Sequence, residues 1–189
     1  SSVSYLENND SKYVIFPMHY EPEQVLTYFS KYSRQTEVVS QILDSLPIGY
    51  ELIVKEHPSQ PGALNTSIWK EIRKSKRIHK IFGTDSLNSI LSKNGTAVVS
   101  FGSTMALEAV FNGAKCAVFS DVHFSKAPGV TKIEHVVDWI KCLNQDEVSR
   151  NDLITWYSEF LDDYCMNDIP MSNNKTNGKF EKIIRSLSS

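Results

Sequence analysis

Apolar residues along this chain fall in short unbroken runs, separated by stretches where they recur every three or four positions. Five runs read as buried strands: Tyr13 to Phe16, Glu51 to Lys55, Ile78 to Phe82, Ala97 to Val99 and Cys116 to Phe119. Runs without polar alternation are what a parallel sheet covered on both faces requires. Helical spacing fills the gaps. Val38, Val39, Ile42, Leu43 and Leu46 form one stripe over Thr36 to Leu46, ended by Pro47 and Gly49. A helix is predicted over Leu64 to Lys74, and a short one over Ser86 to Ser92 with Thr84 or Asp85 as its cap. Ala106, Leu107, Ala109, Val110 and Phe111 mark another, stopped by Gly113. Ile133 to Leu143, Leu153 to Tyr164 and Phe180 to Leu187 complete the helical set, while Ser120 to Thr131 and Met166 to Gly178 read as loops.

Strands alternating with helices imply right-handed crossovers and a doubly wound parallel sheet, an α/β fold. Ligands of such sheets bind at the carboxyl ends of the strands. The loops richest in polar side chains follow those ends: Pro17 to Glu23, Glu56 to Pro58, Gly83 to Asp85, Gly102 to Thr104 and Asp121 to Gly129. Gly95 to Phe119 holds the densest pattern, a strand, a glycine and two hydroxyls, a helix and a second strand. Its turn aims backbone N–H groups, a helix N-terminus, Ser103 and Thr104 at one point, which suits a phosphate. The competing reading is that Ser103 only caps its helix.

Composition narrows the class. With 189 residues, 41% hydrophobic and 22% charged, the chain suffices for one well-cored domain. A net charge of −2 gives no support for a nucleic-acid binder. The basic stretch Lys70 to Lys80 reads as a solvated helix face and its exit loop, ahead of an anionic-surface patch. Cys116, Cys142 and Cys165 are widely spaced and odd in number, which suits reduced thiols better than a disulfide scaffold or a zinc site. No run reaches the roughly 18 apolar residues of a membrane span, and no signal-peptide pattern occurs. The expected location is cytoplasmic, and a start at Ser1-Ser2 fits an excised piece of a longer protein.

No G-x-G-x-x-G, no Walker loop and no G-x-S-x-G elbow is present, which disfavours a dinucleotide site, a P-loop and a nucleophilic Ser103. Paired metal ligands at helical spacing are absent, so no metal is expected. What remains is a phosphate cradle assisted by histidine. His57, held by Pro58 at a strand end, can donate to a phosphate oxygen, with Ser103 and Thr104 completing the cradle. Glu108 either accepts from ribose hydroxyls or is a surface glutamate, and the backbone of Phe82, Gly83 and Thr84 can approach a base closely. His79 and His135 read as structural, and His19 sits between a structural and a binding role.

FPMHYEPE at Phe16 to Glu23, KEHP at Lys55 to Pro58 and FGSTMALEAVFNGAKCAVF at Phe101 to Phe119 resemble bacterial capsule polysaccharide biosynthesis proteins. That family includes the Kdo transferases that build the lipid-linked Kdo linker of group 2 capsules. Pro128-Gly129-Val130-Thr131 also looks like the family's segment after the fifth strand, so the match runs in order from Tyr13 to Thr131. A His-Pro pair followed by a Ser/Thr pair is further similar to bacterial sialyltransferases and other users of CMP-activated sugars. The resemblance implies that His57 and Pro58 bind the nucleotide and that Gly102, Ser103 and Thr104 bind its phosphate. It also implies a GT-B enzyme of two Rossmann-like domains, of which this chain supplies the C-terminal half. The catalytic acid or base would then belong to an absent N-terminal domain, although Glu21 or Glu23 could still reach the cleft.

The expected organisation is a linker or tail over 1–11, a Rossmann-like nucleotide-sugar domain over 12–143 and C-terminal helices over 144–189. The expected function is donor binding in a metal-independent, cofactor-free glycosyltransferase of capsule synthesis, with CMP-Kdo or another CMP-nonulosonate as donor. His19, Glu23 and His123 are candidate donor-sugar contacts. The acceptor, lipid-linked or glycan, would meet the absent domain, at the inner face of the membrane. Rivals are a teichoic-acid type CDP-glycerol or ribitol phosphotransferase, a UDP-sugar 2-epimerase, and a non-catalytic interaction module. Trp139, Trp156, Tyr157, Phe160 and Tyr164 would serve as the module's surface if they are not core.

Overall fold

The computed structural model describes residues 2–20, 35–62, 70, 73–119 and 121–165. Its centre is a six-stranded sheet, every pair of neighbours parallel, in the order β3-β2-β1-β4-β5-β6. The strands are β1 (Lys12–Pro17), β2 (Tyr50–Lys55), β3 (Ile78–Ile81), β4 (Ala97–Ser100), β5 (Lys115–Val118) and β6 (Val130–Lys132). The order reverses between β1 and β4, so their carboxyl ends flank the crevice where doubly wound sheets take ligands. The doubly wound α/β expectation therefore holds.

Side chains alternate across the sheet and divide the core. Val14, Phe16, Leu52, Val54, Ala97, Val99 and Ala117 face one side, under α2 (Gln35–Asp44) and a 3₁₀ helix (Val136–Asn144). Trp139 lies fully buried there, its Nε1 donating to Ser45 Oγ at 2.9 Å. The opposite face carries Ile15, Ile53, Val98, Cys116 and Val118. It is covered by α4 (Thr104–Phe111), whose Ala106, Ala109 and Val110 are buried, and α3 (Asn88–Leu91) lies before β4. Burial pushes the Cys142 thiol up to about 12 and the Cys116 thiol higher still, so both remain protonated thiols.

Four elements differ from the sequence expectations. A sixth strand, β6, begins inside the segment read as an irregular loop and ends one residue past it; three residues with no buried apolar run carry no strand pattern. Residues 2–7, read as tail, form helix α1 (Ser2–Glu7), with Leu6 buried and its carbonyl accepting from Tyr13 Oη at 3.0 Å. Burial and the nearby Glu51 charge push that phenol up to about 12. Helix α3 begins after Leu87 with no side-chain cap, so neither Thr84 nor Asp85 serves it. The helix predicted over Ile133 to Leu143 is the 3₁₀ helix.

The chain divides into two units, Ser1–Glu147 and Val148–Ser189. The described part of the second is α5 (Arg150–Cys165), started by Ser149, whose Oγ accepts from the Asp152 N–H at 3.1 Å and donates to the Asp152 carboxylate at 2.7 Å. That reciprocal cap sets the start three residues before the predicted Leu153. Along α5, Trp156 and Phe160 stack at 5.4 Å, one turn apart. The predicted helices over Leu64 to Lys74 and Phe180 to Leu187, and the Met166 to Gly178 loop, lie wholly or largely outside the described residues, as does the side chain of Tyr164.

Candidate donor-nucleotide site

β2 delivers Glu56-His57-Pro58 to the carboxyl edge. The Ser59 N–H donates to His57 Nδ1 at 3.2 Å, which makes Nε2 the nitrogen that carries the proton and can donate. Tyr20, three residues after β1, meets the His57 ring edge-on at 5.9 Å. Beneath them Glu56, 2% exposed, accepts from the Gly62 N–H at 2.8 Å and pairs with Lys80 Nζ at 2.6 Å. A buried carboxylate is tolerable when it is paired and hydrogen-bonded in this way, and here it ties down both ends of the His-Pro loop.

Gly83 has a purpose that composition does not reveal. A Cβ built there would lie 2.4 Å from Pro58 N and 2.6 Å from Glu56 O, so the β3 loop closes directly onto the His-Pro loop. The Asp85 N–H donates to the Phe82 carbonyl at 3.1 Å and completes a turn that leaves Thr84 and Phe82 exposed.

On the other flank of the crevice, β4 ends at Ser100, fully buried. Its Oγ accepts from the N–H groups of Gly102 at 3.0 Å and Ser103 at 2.8 Å. Gly102 has φ +135°, a conformation that glycine alone adopts readily. Ser103 caps α4, its Oγ accepting from the Met105 N–H at 3.2 Å. The turn is thus less open than its composition suggests: two N–H groups are spent on Ser100 and one on Ser103. The Thr104 N–H and the Ser103 and Thr104 hydroxyls remain as donors.

The predicted site residues are distributed as follows. Gly83 meets Pro58 where the β3 loop closes on the His-Pro loop, with Thr84 and His57 next to them in the chain; Gly102, Ser103 and Thr104 form the turn after β4. Glu108, exposed on α4, acts electrostatically on Lys55 at the end of β2, which links the two sides. His19, 6% exposed, is packed edge-on against Phe101 at 5.9 Å, and Gln35 clamps its backbone with bonds of 2.7 and 2.9 Å. His123 follows β5, three strand spacings or roughly 14 Å from the strand of His57, and lies against Phe124. Glu21 and Glu23 lie outside the described residues. Sequence reasoning passed over Ser100, Gln35, Glu56 and Lys55. The last two stood in the quoted KEHP stretch, and a lysine at a strand's carboxyl end was the available signal. Among the described residues no group of three His, Cys, Asp or Glu side chains comes together as a metal site.

This all-parallel sheet order defines a Rossmann-like α/β fold of the GT-B type. The family described as capsule polysaccharide biosynthesis protein matches residues 3–156, and the chain belongs to it. No curated protein matches. Among solved structures it is similar to KpsC of Thermosulfurimonas dismutans, a beta Kdo 2,7 transferase, at TM-score 0.51 and 17% identity over 80% of this chain and 49% of that one. It is similar to the UDP-GlcNAc 2-epimerase of Methanocaldococcus jannaschii, solved with UDP-GlcNAc and UDP, at 0.56 and 12%, covering 83% and 47%. The spinosyn rhamnosyltransferase SpnG gives 0.51 and 16%, covering 80% and 42%. At such identities these likenesses establish the fold, and this chain spans about half the length of each. Among the described residues no helix is long and apolar enough to cross a membrane.

Proposed function

We propose that this chain is the donor-nucleotide half of a metal-independent glycosyltransferase in capsule polysaccharide synthesis, with CMP-Kdo as donor. The observation that supports the reading is the His57 ring, held at Nδ1 by the Ser59 N–H after β2, at the same carboxyl edge of the sheet as the Ser103 and Thr104 turn that follows β4. In the reaction an acceptor hydroxyl forms a bond to the anomeric carbon, the bond from that carbon to the phosphate oxygen breaks, and CMP departs. Donors preorganised around the departing phosphate lower that barrier. His57 and the hydroxyl turn would serve in this role, Glu108 would accept from the ribose, and the Phe82–Thr84 turn would meet the base. The acceptor and the group that takes its proton come from outside this chain, at the cytoplasmic face of the membrane.

Calorimetric titration with CMP, CDP, UMP and UDP, with and without magnesium, tests the reading. Preferential CMP binding unaffected by magnesium is expected. A UDP preference would replace the donor with a UDP-sugar, a CDP preference would favour a phosphotransferase, and absence of any binding would favour an interaction module.

A further inference from the structure

A phosphate cradle built from His57, two hydroxyls and a single free N–H carries no fixed positive charge, yet a departing nucleotide bears at least one negative charge. Two of the N–H groups that would have supplied partial charge are occupied by Ser100. The strand register points to the missing cation. Lys55 pairs with Pro17 on β1, and two residues beyond the Ile15–Val98 pair on β4 stands Ser100. Lys55, Pro17 and Ser100 thus form one row at the carboxyl edge of three adjacent strands. All three share the face covered by α4, since Ile53, Ile15 and Val98 lie two residues before them on that face. Two strand spacings, roughly 10 Å, separate the backbones of Lys55 and Ser100, the residue from which the hydroxyl turn departs, and Pro17 lies between them.

The ammonium is also incompletely used. Lys55 Nζ donates to the Asp85 carbonyl at 2.5 Å, and among the described residues it makes no second hydrogen bond. An ammonium has three donors, so two are left over. Partial burial lowers its pKa below the ordinary lysine value, and the charges of Asp85 and Glu108 offset that only in part. A half-buried cation with spare donors, beside a crevice lined by neutral ones, is placed to receive an anion.

We propose that Lys55 is the cation of the donor site and that its ammonium contacts the nucleotide's phosphate, the Asp85 carbonyl holding it in place. This rests on the donor-nucleotide reading above. The rival role is a staple between the β2 and β3 loops, which would act on the shape of the site rather than on charge.

The test compares a nucleotide with its nucleoside. CMP and cytidine, with UMP and uridine in parallel, are titrated by NMR into the full chain and its Lys55→Met and Lys55→Arg variants, and melting temperatures are recorded. Loss of a charge-assisted hydrogen bond predicts that Lys55→Met weakens CMP binding about tenfold or more. Cytidine affinity should hold, and Lys55→Arg should recover part of the loss. If Lys55→Met fails to fold, Lys55→Gln carries the same comparison. Unchanged CMP affinity would overturn the proposal, and so would an equal fall for CMP and cytidine. A wild-type chain that binds neither nucleotide would sink the donor-domain reading itself and Lys55's role with it; binding by the wild type with no effect of the variants sinks the lysine alone.

Discussion

The two edges of the sheet use the same residue types in opposite ways. At the amino edge, Lys93 Nζ donates to the carbonyls of Leu6, Glu7 and Asn9, spending all three of its donors on closing α1 onto the sheet. Arg77 reaches the carbonyls of Leu46, Pro47 and Tyr50, and His79 Nε2 meets Glu51 Oε2 at 2.5 Å while Ser11 bonds the other oxygen of that carboxylate at 2.7 Å. At the carboxyl edge, Lys55 spends one donor of three, and among the described residues His57 Nε2 has no partner. Polar groups that are saturated contribute to stability, whereas groups held in place but unsaturated are available to a ligand. On the proposed reading, the contrast separates a stabilising edge from one that keeps Lys55 and His57 for a ligand.

That assignment can be broken by substitution. The largest effect is expected for Arg77→Ala, which strips three main-chain carbonyls of a charged donor. Urea denaturation should show a loss of about 3 kcal/mol with nucleotide affinity of the folded protein unchanged. Gly83→Ala forces a methyl group into the Pro58 backbone and should cost about 2 kcal/mol of stability. Because it displaces the His-Pro loop, it should also weaken nucleotide binding, which makes it the one substitution that moves both readouts. His57→Ala should leave the melting temperature in place and weaken nucleotide binding by roughly 1.5–3 kcal/mol in calorimetry; unchanged affinity in a folded variant would remove His57 from the site. The smallest effect belongs to His79→Ala, whose partly exposed pair with Glu51 should be worth under about 1 kcal/mol by urea denaturation, with no change in affinity. A binding defect in Arg77→Ala or His79→Ala would erase the distinction between the edges.

The fold was largely legible because its signals are local or periodic. The apolar run Ala97 to Val99 becomes β4, Glu51 to Lys55 becomes most of β2, and the stripe from Val38 to Leu46 marks α2 within two residues at its carboxyl end. Ser103 as the cap of α4 was readable for the same reason, since the bond to Met105 spans two residues. α1 was not, because its single buried anchor, Leu6, sits in a polar stretch and its carbonyls are satisfied by Lys93, 84 or more residues away. β6 forms because β5 offers it a register, Cys116 to Val130, rather than because of any preference in its three residues.

The candidate site divides along the same line. His57, Ser103 and Thr104 could be chosen from residue type and position after a strand. Their surroundings could not. That Gly83 must lack a side chain to admit Pro58, and that Lys55 stands in one row with Ser100, depend on strand order and register, whereas the Ser100 bonds to the turn are local and were simply passed over. The sequence alone determined the periodicity, the caps and the chemical types at each strand end, since these are set by neighbours a few residues apart. Only the tertiary structure decided that Lys93, Arg77 and Glu51 are saturated while Lys55 keeps spare donors, because the partners of those groups come from distant parts of the chain.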